Sequence, residues 1–200
     1  IMNRIRLYVM MMAIFVTAIL PAHAYLADLD PEVRAEQTKK AVALYVAKDA
    51  AGLREMLKDS HLFIQQDVGL RLGRLGDEQS LAMLNKLDEQ YKSFACAPSG
   101  QFGVAVMLIQ NKTAEVRKKA LLKAATATDY KQYASSVVDC AGRELVFYAD
   151  NEVAAALKEV RTYGAQYTVL RWECSRMGDN LAIEKCIGVL ERHETPQKAE

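Results

Sequence analysis

The sequence predicts an all-α chain built from short antiparallel helical hairpins, and three observations carry that prediction. Beyond residue 24 only Pro31, Pro98 and Pro196 are proline, alanine and leucine are frequent, and the punctuation that separates strands is nearly absent. Apolar residues recur at offsets of four and seven after a capping residue, which aligns them on one helical stripe. The capping residues return every 28 to 37 positions, the period range of helical solenoids.

The first segment is read separately. Arg4 and Arg6 precede an apolar run from Leu7 to Leu20, which Pro21 and then Ala22-His23-Ala24 close. This is the order of a cleavable secretory signal, with small residues where signal peptidase reads them. The run spans about 21 Å as a helix, short of the roughly 30 Å hydrocarbon core. Residues 1–24 are therefore expected to be a signal peptide, 25–195 a single helical domain and 196–200 a flexible tail. No cysteine sits at the junction to accept a lipid, and no later stretch is apolar enough to span a bilayer. The expected location is the periplasm, or outside the cell where there is no outer membrane.

Removing Arg4 and Arg6 with the leader leaves 24 basic against 25 acidic residues. So balanced a chain offers no field to draw nucleic acid or an anionic membrane. Its length suffices for one ordinary domain with its own core.

The helices can be placed in order from their caps. Asp49 precedes Leu53, Met56 and Leu57; Asp77, after Gly76, precedes Leu81 and Leu84; Thr113 precedes Val116, Ala120 and Leu121; Asp150 precedes Ala154 and Leu157; Asp179, after Gly178, precedes Ile183 and Cys186. An Asp or Thr in this place accepts from N–H groups that lack a partner inside the helix, and a glycine just before it lets the preceding helix end in a left-handed turn. A helical pair with one apolar stripe cannot bury it alone, so neighbouring pairs are expected to stack.

Two segments repeat most closely: Leu72-Gly73-Arg74-Leu75-Gly76-Asp77 and Cys174-Ser175-Arg176-Met177-Gly178-Asp179. This turn with its flanking helices resembles HEAT repeats of the armadillo type, particularly the short HEAT-like repeats of bacterial proteins. The resemblance covers residues 61–91, 162–192 and, more loosely, 31–58; at 102–126 and 129–161 the turn lacks its glycine and the period alone makes the assignment. It implies a short α-solenoid of about five hairpins. The tetratricopeptide pattern of aromatic and small residues does not recur.

Cys96, Cys140, Cys174 and Cys186 are an even set in an exported chain, which suggests two disulfides. Aligning the two closest repeats sets Cys174 at the place of Leu72 and Cys186 at that of Leu84, two inward positions on facing helices of one hairpin. The expected pairs are Cys174–Cys186 and, with those removed, Cys96–Cys140, the two other pairings being open. A bridge closing the shorter loop would add about 3 kcal/mol in the chain-entropy view. Cys96 stands before the loop Ala97-Pro98-Ser99-Gly100, which the second bridge would tie to a long helix expected from about Asp129 to Ala149.

Chemistry is harder to find. The sequence has no G-x-S-x-G, H-E-x-x-H, C-x-x-C or phosphate-binding glycine loop. Gly69, Gly73 and Gly76 read as helix-packing positions, with Arg71 and Arg74 exposed between them. His61 opens a helix, His193 lies near the tail, and neither has a second catalytic group at a useful spacing. No metal or cofactor is expected. Glu115, Arg117, Lys118, Lys119 and Lys123 read as a solvated helix face. Tyr130 with Tyr133, and Tyr163 with Tyr167, read as bridges from core to surface, with a binding surface as the sharper alternative, and Trp172 as packing beside Cys174.

Such repeats serve as binding scaffolds, and in a HEAT-like stack the second helix of each hairpin lines the concave side. The resemblance thus implies Arg54, Glu55, Asn85, Lys86, Glu89, Lys118, Lys158, Arg161, Glu184 and Lys185 as contact residues. The function expected is a non-catalytic binding protein with a protein partner in the periplasm, an inhibitor or an immunity protein against a secreted toxin. The alternative is an adaptor or assembly factor of an envelope complex, and homo-oligomers are compatible with either. An enzyme with a dispersed site is the least favoured reading.

Overall fold

The computed structural model describes residues 29–58, 61–92, 100–129 and 133–176. These residues are helical throughout, without a strand among them. Nine α-helices follow in order: α1 Pro31–Val46, α2 Ala50–Met56, α3 Leu62–Leu75, α4 Leu81–Lys92, α5 Gly100–Gln110, α6 Ala114–Ala125, α7 Ser135–Glu144, α8 Asn151–Leu157 and α9 Tyr163–Ser175. Short 3-10 turns at Glu78–Ser80 and Leu145–Tyr148 precede α4 and follow α7. Within the span read as one domain, packing divides the chain into two compact units that meet between Val68 and Gly69, inside α3.

In the N-terminal unit Asp30 caps α1, accepting from the N–H groups of Glu32 at 2.8 Å and Val33 at 3.3 Å. Pro31 occupies the first turn, where a missing N–H costs nothing. Ala41 is the only residue of α1 that is buried. Lys48 then takes a left-handed conformation (φ 56°) and Asp49 caps α2 through the Gly52 N–H at 2.9 Å. Lys48 thus does without a glycine what Gly76 (φ 72°) does at the end of α3. Leu53, Met56 and Leu57 turn inward as the offsets required.

The C-terminal unit holds the larger core. Val104 and Leu108 of α5, Leu121, Ala124 and Ala125 of α6, Ala141 of α7, Leu145 of the 3-10 turn that follows it, Val153 and Leu157 of α8, and Ala165 of α9 form one buried cluster. Helix α5 packs on α4 and α7, α7 on α6 and α9, and α8 on α9. Thr113 and Asp150 cap α6 and α8 as expected, through the Val116 N–H at 3.3 Å and the Val153 N–H at 2.8 Å.

Several expectations are corrected. The helix expected from Asp129 to Ala149 is shorter: α7 runs from Ser135 to Glu144 and tightens into the 3-10 turn, because Leu145 turns into the core. Asp77 makes no capping bond with its side chain; the Ser80 hydroxyl instead donates to its carbonyl at 2.7 Å. Val116 is exposed while Leu121 carries the stripe inward. Cys140 is a free thiol, so the Cys96–Cys140 bridge is not made in this structure. Cys96, Cys186, Tyr130, His193, the Gly178-Asp179 turn, the leader and the tail lie outside the described residues.

Glycine sets the closest helix contacts, as the sequence reading expected of Gly73. A methyl on Gly73 would meet the Ala105 Cα at 2.7 Å, and one on Gly164 would meet the Asp139 carbonyl oxygen at 1.9 Å. Opposite, a methyl on Gly142 would meet the Ala165 nitrogen at 2.7 Å. Helices α7 and α9 therefore approach backbone to backbone, and the Thr168 hydroxyl donates to the Gly142 carbonyl across the contact at 2.7 Å. Gly164→Ala is expected to destabilise the fold by about 2–3 kcal/mol through overpacking. Denaturant unfolding checks this, with Ala156→Gly at an exposed position of α8 as the control, expected to lose no more than about 1 kcal/mol.

Candidate binding surface

Helices end with carbonyls that have no partner inside the helix, and in the C-terminal unit arginines meet them. Arg117 of α6 donates from Nε to the carbonyls of Leu108 and Asn111 at the end of α5, both at 2.8 Å. Its Nη1 reaches the Arg74 carbonyl at the end of α3, 3.1 Å away. Arg74 donates from Nε and Nη2 to the two carboxylate oxygens of Glu144, each at 2.8 Å. Glu144 is 3% exposed, so this forked pair is shielded from water. Arg74, expected on the surface, is thus an internal tie.

The other face of Arg74 carries the first of a set of stacked groups. Its guanidinium lies 4.4 Å from the centre of the Phe147 ring, and Phe147 is 64% exposed. One helical turn before Phe147 stands Arg143, also exposed. Its guanidinium lies 5.0 Å from the ring centre of Tyr163 and 5.7 Å from that of Tyr167, two rings 6.3 Å apart on α9. Arginine held on aromatic faces is a favourable, directional contact. Of the two tyrosine pairs noted in the sequence, Tyr163 and Tyr167 belong to this surface; Tyr133 packs against the core.

The contact residues implied by the repeat resemblance fall elsewhere. Glu55, Asn85, Lys86, Glu89, Lys158 and Arg161 are exposed, Arg54 is half-buried, and Glu184 and Lys185 lie outside the described residues. Glu55 pairs with Lys58 at 2.7 Å. Arg161 borders a cleft of about 370 Å³ between the end of α6 and the start of α9. Lys118 is only 11% exposed at its side chain and joins Glu152 at 2.8 Å, Asp150 at 3.1 Å and Glu115 at 3.5 Å. The face expected to be solvated therefore contains two structural ties, Arg117 and Lys118. In the N-terminal unit a groove of about 1050 Å³ runs along α1 past Arg34, Ala35, Thr38 and Val42, with Arg34 stacked 4.8 Å from Phe63.

Two groups have displaced pKa values with testable consequences. Burial, followed by the charge on Glu144, pushes the Cys140 thiol up to about 12, against the opposing pull of Arg143 and Arg74. Asp150 is held below the usual carboxylate range, first by the Val153 N–H and then by Lys118. Lys118 is raised above its ordinary value by Glu152 and Asp150. Among the described residues no group of His, Cys, Asp and Glu could hold a metal, and no helix is long and apolar enough to cross a membrane.

The folded protein is expected to resist alkylation of Cys140 by iodoacetamide at pH 8 and to react at that residue once unfolded in guanidinium, as peptide mass spectrometry would read. Asp150→Ala is expected to cost about 1 kcal/mol at pH 7 through loss of the cap. A depressed carboxylate stabilises above its unfolded pKa of about 3.9 and ceases to as pH falls through the lower folded value. The gap between variant and parent in urea midpoint is therefore expected to close below about pH 4.

Compared with family models, curated proteins and solved structures, this chain matches none of them.

Proposed function

We propose that this is an exported, non-catalytic helical-repeat protein that binds another protein in the periplasm, as an inhibitor or an immunity protein. The observation that carries the reading is the set Arg74, Phe147, Arg143, Tyr163 and Tyr167 on the C-terminal unit, with Phe147 64% exposed. Arginine and tyrosine are the residues that dominate binding energy in protein interfaces, and large aromatic rings supply contact area at small entropic cost. An exposed phenylalanine supported from below by a paired arginine is a ready anchor for a partner's pocket.

The repeat reading fits beside this. Successive packing of α5, α7 and α9, with α6 and α8 alongside, supports a HEAT-like stack for the C-terminal unit. Cys174, buried at the end of α9, is proposed to pair with Cys186 across one hairpin. The leader, if cleaved, delivers the chain to the oxidising compartment where that bond forms.

The test is affinity capture by the oxidised mature chain in periplasmic extract, with the partner identified and its affinity measured. Phe147→Ala is expected to weaken the identified complex roughly thirtyfold, the equivalent of about 2 kcal/mol. Lys123→Ala, at an exposed position of α6, is the comparison. Capture of a secreted toxin supports immunity, whereas a chain that stays monomeric and captures nothing at micromolar concentration overturns the reading.

A further inference from the structure

Resting on that reading, we infer that Arg143 is the receptor for a carboxylate of the partner, so that the surface takes an acidic protein segment carrying an apolar residue beside its Asp or Glu. Three observations lead there. Arg143 is exposed with its guanidinium over Tyr163 and Tyr167, and among the described residues that guanidinium makes no hydrogen bond or ion pair. The acids next to it in sequence are engaged elsewhere: Asp139 accepts from the Gly164 N–H at 2.8 Å, and both oxygens of Glu144 hold Arg74. A guanidinium held over ring faces keeps its N–H donors in its own plane, directed sideways, where a carboxylate can meet two of them.

The same geometry argues for a carboxylate over a phosphate. Phosphate sites gather several cations or the free N–H groups of a helix start. Here the start of α9 is already satisfied, Gly164 by Asp139 and Ala165 by Thr162, and Arg74 is neutralised by Glu144. One uncommitted positive charge between aromatic rings matches one negative charge with an apolar neighbour. Phe147, a turn away, supplies the apolar contact.

The experiment is selection of a random twelve-residue peptide display library on the oxidised mature chain, followed by titration of the chosen synthetic peptides. The expected result is enrichment of Asp or Glu next to an aromatic or aliphatic residue. Arg143→Ala is expected to weaken those peptides at least tenfold, Arg143→Lys several-fold because the fork is lost, and Tyr163→Ala comparably, with thermal melts confirming that each variant folds. Binding is also expected to fall below pH 4 as the peptide carboxylates protonate. Peptides without acidic preference that depend on Phe147 and ignore Arg143→Ala would overturn the carboxylate inference and leave the protein-binding reading standing. Inorganic phosphate bound as tightly as the acidic peptides would make this a small-anion site and overturn it too. No selected peptide at all would remove both.

Discussion

The C-terminal unit depends on how its helix ends are closed. A helix that stops inside a packed protein leaves carbonyls facing neighbours rather than water, and each must find a donor or destabilise the fold. Arg117 meets this need for two helices at once, reaching the last turns of α5 and α3 with one guanidinium. Arg74, whose carbonyl it holds, points its own side chain to Glu144 on α7. Four helices are thus joined through two cations and one acid. Charge-assisted bonds in so shielded a place are strong when complete and costly when one partner is missing.

That framework explains why the exposed aromatic set has a defined shape. Arg74 is fixed on one side by a carboxylate and on the other meets Phe147. Arg143 is held by rings on α9, and α9 is held to α7 by the glycine contact and the Thr168 hydroxyl. A surface prepared in this way loses little rotamer freedom when a partner arrives, and ordering side chains is a large part of what weakens association.

Local features were legible in the sequence where a short stretch of chain decides them. Asp49, Thr113 and Asp150 cap helices as their spacing from the apolar stripe indicated, and Leu53, Leu84, Leu121 and Leu157 are all buried. Gly69 and Gly73 lie within α3 at close contacts with neighbouring helices, where the helix-packing reading put them. Lys48 escaped notice, since no glycine marks its left-handed turn. The proposed surface was harder to see. Arg74 and Glu144 are 70 positions apart, and Arg117 and Lys118 look like ordinary solvated charges until the helices they join are placed. Tyr163 and Tyr167 could be found from their i, i+4 spacing, but Arg143 joins them only because α7 and α9 touch.

The approach of α7 to α9 has a wider meaning. At Gly142 and Gly164 the two helices meet where side chains are missing, so nothing soft lies between them to yield. A spindle pressed this hard against its neighbour cannot roll, and the bearing of every group it carries is inherited from two absent methyls. The outward-facing tyrosines owe their aim to emptiness a few ångströms beneath them.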